Sequence, residues 1–95
     1  MKVKVQYLGL VKTYTNKSTD EFELQEGAPL SELLKRIAAN SGKQFTQDIY
    51  EPDQKDVKAM FTVMINGIVI GQLKGIETRL KNSDNVILMP LMTGG

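Results

Sequence analysis

The residues of this chain best suited to covalent chemistry are the last two, Gly94 and Gly95. A chain that ends in glycine presents a carboxylate, which is ionised at neutral pH and can attack the α-phosphate of ATP. A sulfur or amine donor could then displace AMP from the acyl-adenylate. Because glycine has no Cβ, its backbone can approach a nucleotide closely or enter a narrow channel. The sequence therefore predicts a reactive tail, Thr93 to Gly95, in which Gly95 is the residue modified.

The composition argues against other kinds of reactive site. The 95 residues include neither cysteine nor histidine, which excludes thiolate nucleophiles, disulfides and imidazole bases. The acidic residues between Asp48 and Asp56 match no calcium-loop spacing, so we predict no metal site and no bound cofactor. The sequence also contains no glycine-rich loop that would cradle a nucleotide. We expect a non-catalytic protein whose tail is activated with ATP by another protein.

Charge and hydropathy restrict the possible partners. Twelve basic and 11 acidic side chains give a net charge of +1, so we expect no bulk attraction to nucleic acid or to anionic lipid. No apolar run approaches the ~18 residues of a membrane span, and the N-terminus lacks the apolar segment of a secretion signal. We expect one domain over residues 1–95, with a flexible tail at 92–95, located in the cytoplasm.

Two strands begin the scaffold that would hold this tail. Apolar residues occupy the odd positions between Lys2 and Leu8, which predicts a half-buried strand. Phe22 and Leu24 mark the inner face of a second strand over 21–25. The polar segment 10–20 is interpreted as the connecting loop of an antiparallel hairpin.

The main helix is predicted to follow Pro29, a residue that suits a helix's first turn. Gly42 can end this helix because glycine tolerates a positive φ. The apolar residues between these two points form one stripe at helical spacing: Leu30, Leu33, Leu34, Ile37 and Ala38. For the segment 43–58 we expect an exposed, mobile loop, because 51–56 is a charged, turn-rich run.

The last strand gives the fold class. Val86–Met89 is a continuous apolar run, typical of a strand covered on both faces, and Pro90 ends regular pairing because it has no N–H to donate. Asn66-Gly67 predicts a hairpin turn after a third strand, 60–65. The element order favours an α+β fold of the β-grasp (ubiquitin-like) type. We expect a mixed sheet of four to five strands packed on one main helix, the last strand parallel to the first, and a free C-terminal Gly-Gly tail.

The alternation in this last strand also predicts a partner-binding surface. Val86 and Leu88 should face the helix, which leaves Ile87 and Met89 on the other side of the sheet. Two interpretations are open: a loop such as 43–58 covers these side chains, or they form an exposed apolar patch, which we favour. The predicted partner-binding residues are Leu8, Met64, Ile87, Met89, Pro90, Leu91 and Met92.

Several segments resemble the MoaD/ThiS family of ubiquitin-like sulfur carriers. The similarity covers most of the chain outside 43–58, and rests on Ile65-Asn66-Gly67, the polar turn 81–84, Val86–Pro90 and terminal Gly94-Gly95. The length resembles the small subunits of molybdopterin synthase more than the shorter carriers of the thiazole pathway. Leu91 is a departure, because the family often has a second proline there.

The resemblance implies a function and partners. It implies that Gly95 becomes a thiocarboxylate after adenylation by a ubiquitin-activating-like enzyme. It also implies that the sulfur passes to a pterin precursor in a larger catalytic subunit, such as that of molybdopterin synthase or its tungsten counterpart. Alternatives from the same chemistry are tRNA thiolation, thiazole synthesis for thiamine, and a modifier joined to lysines of other proteins. A β-grasp binding module without tail chemistry is a further alternative.

Overall fold

A five-stranded mixed sheet forms the body of the protein, which the computed structural model describes from residue 1 to residue 91. The predicted flexible tail at 92–95 lies outside the described residues. The sheet has the spatial order β2-β1-β5-β3-β4, with β5 parallel to β1 and antiparallel to β3. Its strands are β1 (Lys2–Tyr7), β2 (Thr19–Glu23), β3 (Phe61–Ile65), β4 (Ile68–Val69) and β5 (Asn85–Pro90).

The first hairpin agrees with the prediction except in its connection. In β1 the odd-numbered side chains are buried and the even-numbered ones are exposed, and β2 pairs with it antiparallel. The predicted polar loop instead contains a short helix, α1 (Val11–Thr15), and β2 starts at Thr19. Val11 is fully buried, and Asn16 ends α1 with a left-handed φ of 61°. A helix of five residues is too short to produce a recognisable periodicity, which explains why the sequence did not indicate it.

The main helix, α2 (Leu30–Ser41), has the predicted position. Pro29 precedes its first turn in an extended conformation, and Gly42 follows it with a φ of 97°. The five residues of the predicted apolar stripe are all buried. They pack in the same core as Val86 and Leu88 of β5, so α2 covers one face of the sheet.

The prediction of an exposed loop over 43–58 is wrong for its first half. A third helix, α3 (Lys43–Asp48), follows α2 after the single residue Gly42. Phe45 and Ile49 are fully buried, and Tyr50 is 1% exposed. The hydroxyl of Tyr14 in α1 donates a hydrogen bond to Oδ2 of Asp48 at 2.8 Å, which ties the two short helices together. The charged run 51–56 favours a loop, although Phe45 and Ile49 have the i, i+4 spacing of a helix face.

The segment between β3 and β5 begins with the predicted hairpin turn. Asn66 and Gly67 have φ values of 52° and 84°, the left-handed pair that a two-residue turn of type I′ requires. Short 3₁₀ turns follow at Ile70–Gln72 and Gly75–Glu77.

These elements form the β-grasp architecture predicted from the sequence. The helix α2 lies in the crossover between the two halves of the sheet, and β5 occupies the centre between β1 and β3. Between residues 1 and 91, no helix has the length and apolar character needed to cross a membrane.

Candidate functional site

The strand that leads to the C-terminal residues is held from both sides. Gln6 of β1 and Met64 of β3 both lie opposite Ile87 of β5. Beyond the last paired residue, the Leu91 N–H donates to the Met60 carbonyl at 2.7 Å, so the chain is still bonded where β5 ends. A central strand opens only when both of its neighbours move, and this position therefore makes a rigid base for the residues that follow.

The start of β5 is fixed by a side-chain network around Asn66. Its Nδ2 donates to Oδ1 of Asp84 at 2.8 Å, and its Oδ1 accepts the Asn85 N–H at 2.9 Å. The other oxygen of Asp84 accepts the Lys81 N–H at 2.8 Å, which satisfies this nearly buried carboxylate. Asn66 is thus a structural turn residue that connects the β3–β4 hairpin to the first residues of β5.

The face of the sheet opposite α2, here called the open face, is divided by charge. Its β1–β2 half carries Lys2 opposite Glu23 and Lys4 opposite Glu21, all of them exposed. Its β5–β3 half is largely apolar. Opposite charges directly across two strands stabilise the pairing weakly and keep that half hydrated. The apolar half is therefore the better candidate for a docking surface.

The apolar half of the open face brings together four predicted partner-binding residues. Ile87 and Met64 lie opposite each other, and Met89 lies opposite Thr62. Met64, Ile87 and Met89 are half-buried, and Leu8, just beyond the end of β1, is 40% exposed. In segment 43–58, Phe45, Ile49 and Tyr50 belong to the core. The role of the four open-face residues in partner binding stays a prediction.

The remaining predicted site residues lie elsewhere. Pro90 lies opposite Phe61, whose side chain belongs to the core, so it does not extend the row formed by Ile87 and Met89. Leu91 is 49% exposed at the end of the described chain. The predicted partner-binding residue Met92 and the predicted reactive tail, Thr93, Gly94 and Gly95, lie outside the described residues.

Three residues near the end of β5 were not predicted from the sequence. Met60 is 61% exposed, and its carbonyl binds the Leu91 amide. Leu10 is 50% exposed and follows Gly9, which lies against the Pro90 ring. An apolar residue at a strand boundary, such as Met60, gives no signal of exposure by itself. Only the pairing of β5 with β1 and β3 brings these residues to the base of the tail.

In the part of the chain that the structure describes, the side chains with a shifted pKa are tyrosines. The Tyr7 hydroxyl donates to Oδ2 of Asp20 at 3.2 Å. Burial first, and then the Asp20 charge and this hydrogen bond, raise the pKa of Tyr7 well above its usual range. Burial also raises the pKa of Tyr50, with the charges of Asp53 and Glu77 contributing. Within residues 1–91, the acidic side chains form no group of three that could hold a metal ion.

The fold and this site together define a small ubiquitin-like protein of the sulfur-carrier and modifier class. The chain belongs to the ThiS family, whose model matches residues 5–95. Small carriers of this type are generally non-catalytic. A search of curated proteins finds no match.

The solved structures with the same fold include archaeal and bacterial proteins. Small archaeal modifier protein 1 from Methanosarcina acetivorans has a TM-score of 0.79 at 22% identity, with 99% of this chain and 96% of that chain covered. A putative molybdopterin converting factor, subunit 1, from Pyrococcus furiosus has a TM-score of 0.73 at 24% identity, with 96% and 98% covered. A structure of the Amycolatopsis orientalis BexX/CysO complex has a TM-score of 0.74 at 19% identity, with 98% of this chain and 99% of that chain covered. These similarities support the fold.

Proposed function

We propose that this protein is a sulfur carrier whose C-terminal glycine, Gly95, is adenylated and converted to a thiocarboxylate. The observation that carries the proposal is the position of β5. It is the central strand of the sheet, and it leads within a few residues to Gly94-Gly95, inside the region matched by the family. A rigid base followed by two residues without side chains suits delivery of a reactive group into another protein's active site.

The proposed chemistry has two steps, both catalysed by a ubiquitin-activating-like partner. A carboxylate oxygen of Gly95 forms a bond to the α-phosphorus of ATP, and pyrophosphate leaves with the bonding electrons. A hydrosulfide donor then attacks the carbonyl carbon, the bond to AMP breaks, and a thiocarboxylate remains. The carrier itself binds no cofactor in this scheme, because ATP is held by the partner. What the carrier contributes is the nucleophile and its position.

The apolar half of the open face is the surface that we assign to the partner. A patch formed by Met64, Ile87, Met89 and Leu8 lies beside the end of β5, and Met60 and Leu91 extend it toward the tail. Methionine side chains adapt to different shapes, which suits a carrier that must bind an activating enzyme and a sulfur acceptor in turn. The charged half, with Lys4 opposite Glu21, would lie at the rim of either complex.

The acceptor that we propose is a pterin precursor in the large subunit of a molybdopterin or tungstopterin synthase. Support comes from the similarity in fold to the Pyrococcus furiosus converting factor subunit. A second candidate is a ubiquitin-like modifier, which is favoured by the similarity in fold to the archaeal modifier protein. Both candidates share the adenylation of Gly95 and differ in what displaces AMP.

Intact mass spectrometry tests the proposal directly. Incubation with ATP, sulfide and a ubiquitin-activating-like enzyme should raise the mass by the exchange of one oxygen atom for one sulfur atom. Gly95→Ala should strongly slow this change, whereas Gly71→Ala, at a position with open space around it, should not. Adducts with lysines of other proteins in a cell lysate would support the modifier. No adenylate with any activating enzyme, or a natural product that extends past Gly95, would contradict the proposal.

A further inference from the structure

The contact between Gly9 and Pro90 stands out at the base of the tail. Gly9 has a left-handed φ of 57°, and a Cβ built on it would lie 3.1 Å from Cγ and 3.2 Å from Cδ of Pro90. Distances this short are tighter than nine in ten real Cβ contacts, so the ring would have to move by a few tenths of an ångström. Only glycine therefore combines this backbone conformation with this approach of the ring.

The residues on either side of this contact are fixed by backbone hydrogen bonds. The Leu8 N–H donates to the Leu88 carbonyl at 3.0 Å, and the Leu91 N–H donates to the Met60 carbonyl at 2.7 Å. Pro90 lies between these bonds and has no N–H to donate. Its ring packs against Gly9. The Gly9 carbonyl in turn accepts the Lys12 N–H at 3.2 Å at the start of α1. Gly9 therefore cannot rotate away without disturbing that helix.

We propose that Gly9 is a positioning residue, which sets the direction in which the C-terminal residues leave β5. This inference rests on the proposed function, because direction matters only if Gly95 must reach a reacting atom. A ring shift of a few tenths of an ångström over one Cα–Cα step of about 3.8 Å corresponds to a rotation of roughly 5°. When a partner's channel holds the last four residues extended, they span at most about 13 Å, and this rotation would then displace the terminal carboxylate by about 1 Å.

A displacement of this size affects the reaction more than the binding. Misplacing a reacting atom by about 1 Å can lower a rate by up to about 100-fold. Outside the chain neighbours Leu8 and Leu10, the atoms near the Gly9 Cβ position belong to Pro90 and not to Met64, Ile87 or Met89. We therefore expect a Cβ at Gly9 to lower kcat for adenylation while KM for the carrier changes little.

The test uses Gly9→Asn, because asparagine tolerates a left-handed φ and so retains the backbone while introducing the Cβ. Gly75 provides a matched control: its φ is 59°, and no atom lies within 4 Å of its Cβ position. Adenylation would be followed by ATP–pyrophosphate exchange with a ubiquitin-activating-like enzyme that acts on the wild type. We expect kcat to fall by about tenfold or more for Gly9→Asn and to stay near the wild-type value for Gly75→Asn.

A second measurement separates positioning from a general loss of structure. In the Pro90→Ala background the ring atoms are gone, so Gly9→Asn should lower kcat by no more than about twofold. Amide hydrogen exchange at Leu91 should be faster in Gly9→Asn and unchanged in Gly75→Asn. Equal kcat values for the two asparagine variants, or an equal loss with and without the ring, would refute the positioning role. A wild-type protein that no activating enzyme adenylates would instead refute the proposed function.

Discussion

Replacement of Asn66 tests whether the β3–β4 turn anchors the start of β5. The side chain makes two hydrogen bonds, one to the Asp84 carboxylate and one to the Asn85 amide, and its φ is 52°. Asn66→Gly removes both bonds and retains the left-handed backbone. Asn66→Ala removes the same bonds and also adds a Cβ that this conformation disfavours.

The structure gives the size of each loss. A hydrogen bond to a charged group contributes about 1.5–3 kcal/mol, and a neutral one contributes about 0.5–1.5 kcal/mol. Because Asn66 is exposed, the lower ends apply, and we expect Asn66→Gly to lower the free energy of unfolding by about 2 kcal/mol. The left-handed backbone should cost Asn66→Ala about 1 kcal/mol more.

Urea unfolding followed by circular dichroism measures these differences. We expect lower midpoints with an unchanged dependence on urea, since the surface exposed on unfolding is the same. The thermal midpoint of Asn66→Gly should fall by about 8–16 °C. If both variants unfold within about 0.5 kcal/mol of the wild type, the side chain does not anchor β5.

Three further perturbations examine the core, the alkaline limit and the docking surface. Phe45→Ala should lower the free energy of unfolding by about 3–5 kcal/mol, because Phe45 is fully buried. The pKa of Tyr7 is raised in the folded protein, so neutral Tyr7 contributes its full stabilisation at any pH below the unfolded pKa of about 10. This stabilisation is lost as the pH rises above that value. Tyr7→Phe should therefore reduce the loss of stability at alkaline pH, as measured by urea unfolding. Met89→Asp should weaken binding of the activating enzyme at least tenfold in calorimetry while the domain stays folded.

Each of these has its own control. Lys55→Ala, in the exposed charged run, should change stability by less than about 0.5 kcal/mol; an equally small effect of Phe45→Ala would mean that α3 is not part of the core. Tyr14→Phe removes a hydroxyl whose pKa is raised first by its hydrogen bond to Asp48, and it should leave the share of the alkaline loss that is due to Tyr7 in place. Lys4→Ala, on the charged half of the open face, should affect binding less than Met89→Asp. Global unfolding of Met89→Asp would indicate that the side chain is buried.

Local sequence patterns predicted much of the scaffold. The alternation in β1, the helical stripe of α2 and the Asn66-Gly67 turn each depend on neighbours within a few residues, so their structure follows from the sequence. The position of β5 beside β1 was also predicted, because a central strand is apolar on both faces and few topologies accommodate it. The short helices α1 and α3 were not predicted, because five residues are too few to show a helical periodicity and because the charged run 51–56 favours a loop.

The candidate site was also predicted only in part from the sequence. The sequence by itself predicts a reactive end at Gly94-Gly95, which stays a prediction, and it determined the alternation that leaves Ile87 and Met89 on the face opposite α2. Only the tertiary structure decided what surrounds the base of that tail: Met60 bonded to Leu91, and Gly9 against the Pro90 ring. These pairs are about 30 and 80 residues apart in the chain. They meet because β5 inserts between β1 and β3, and no pattern within a short window of sequence records such long-range pairing.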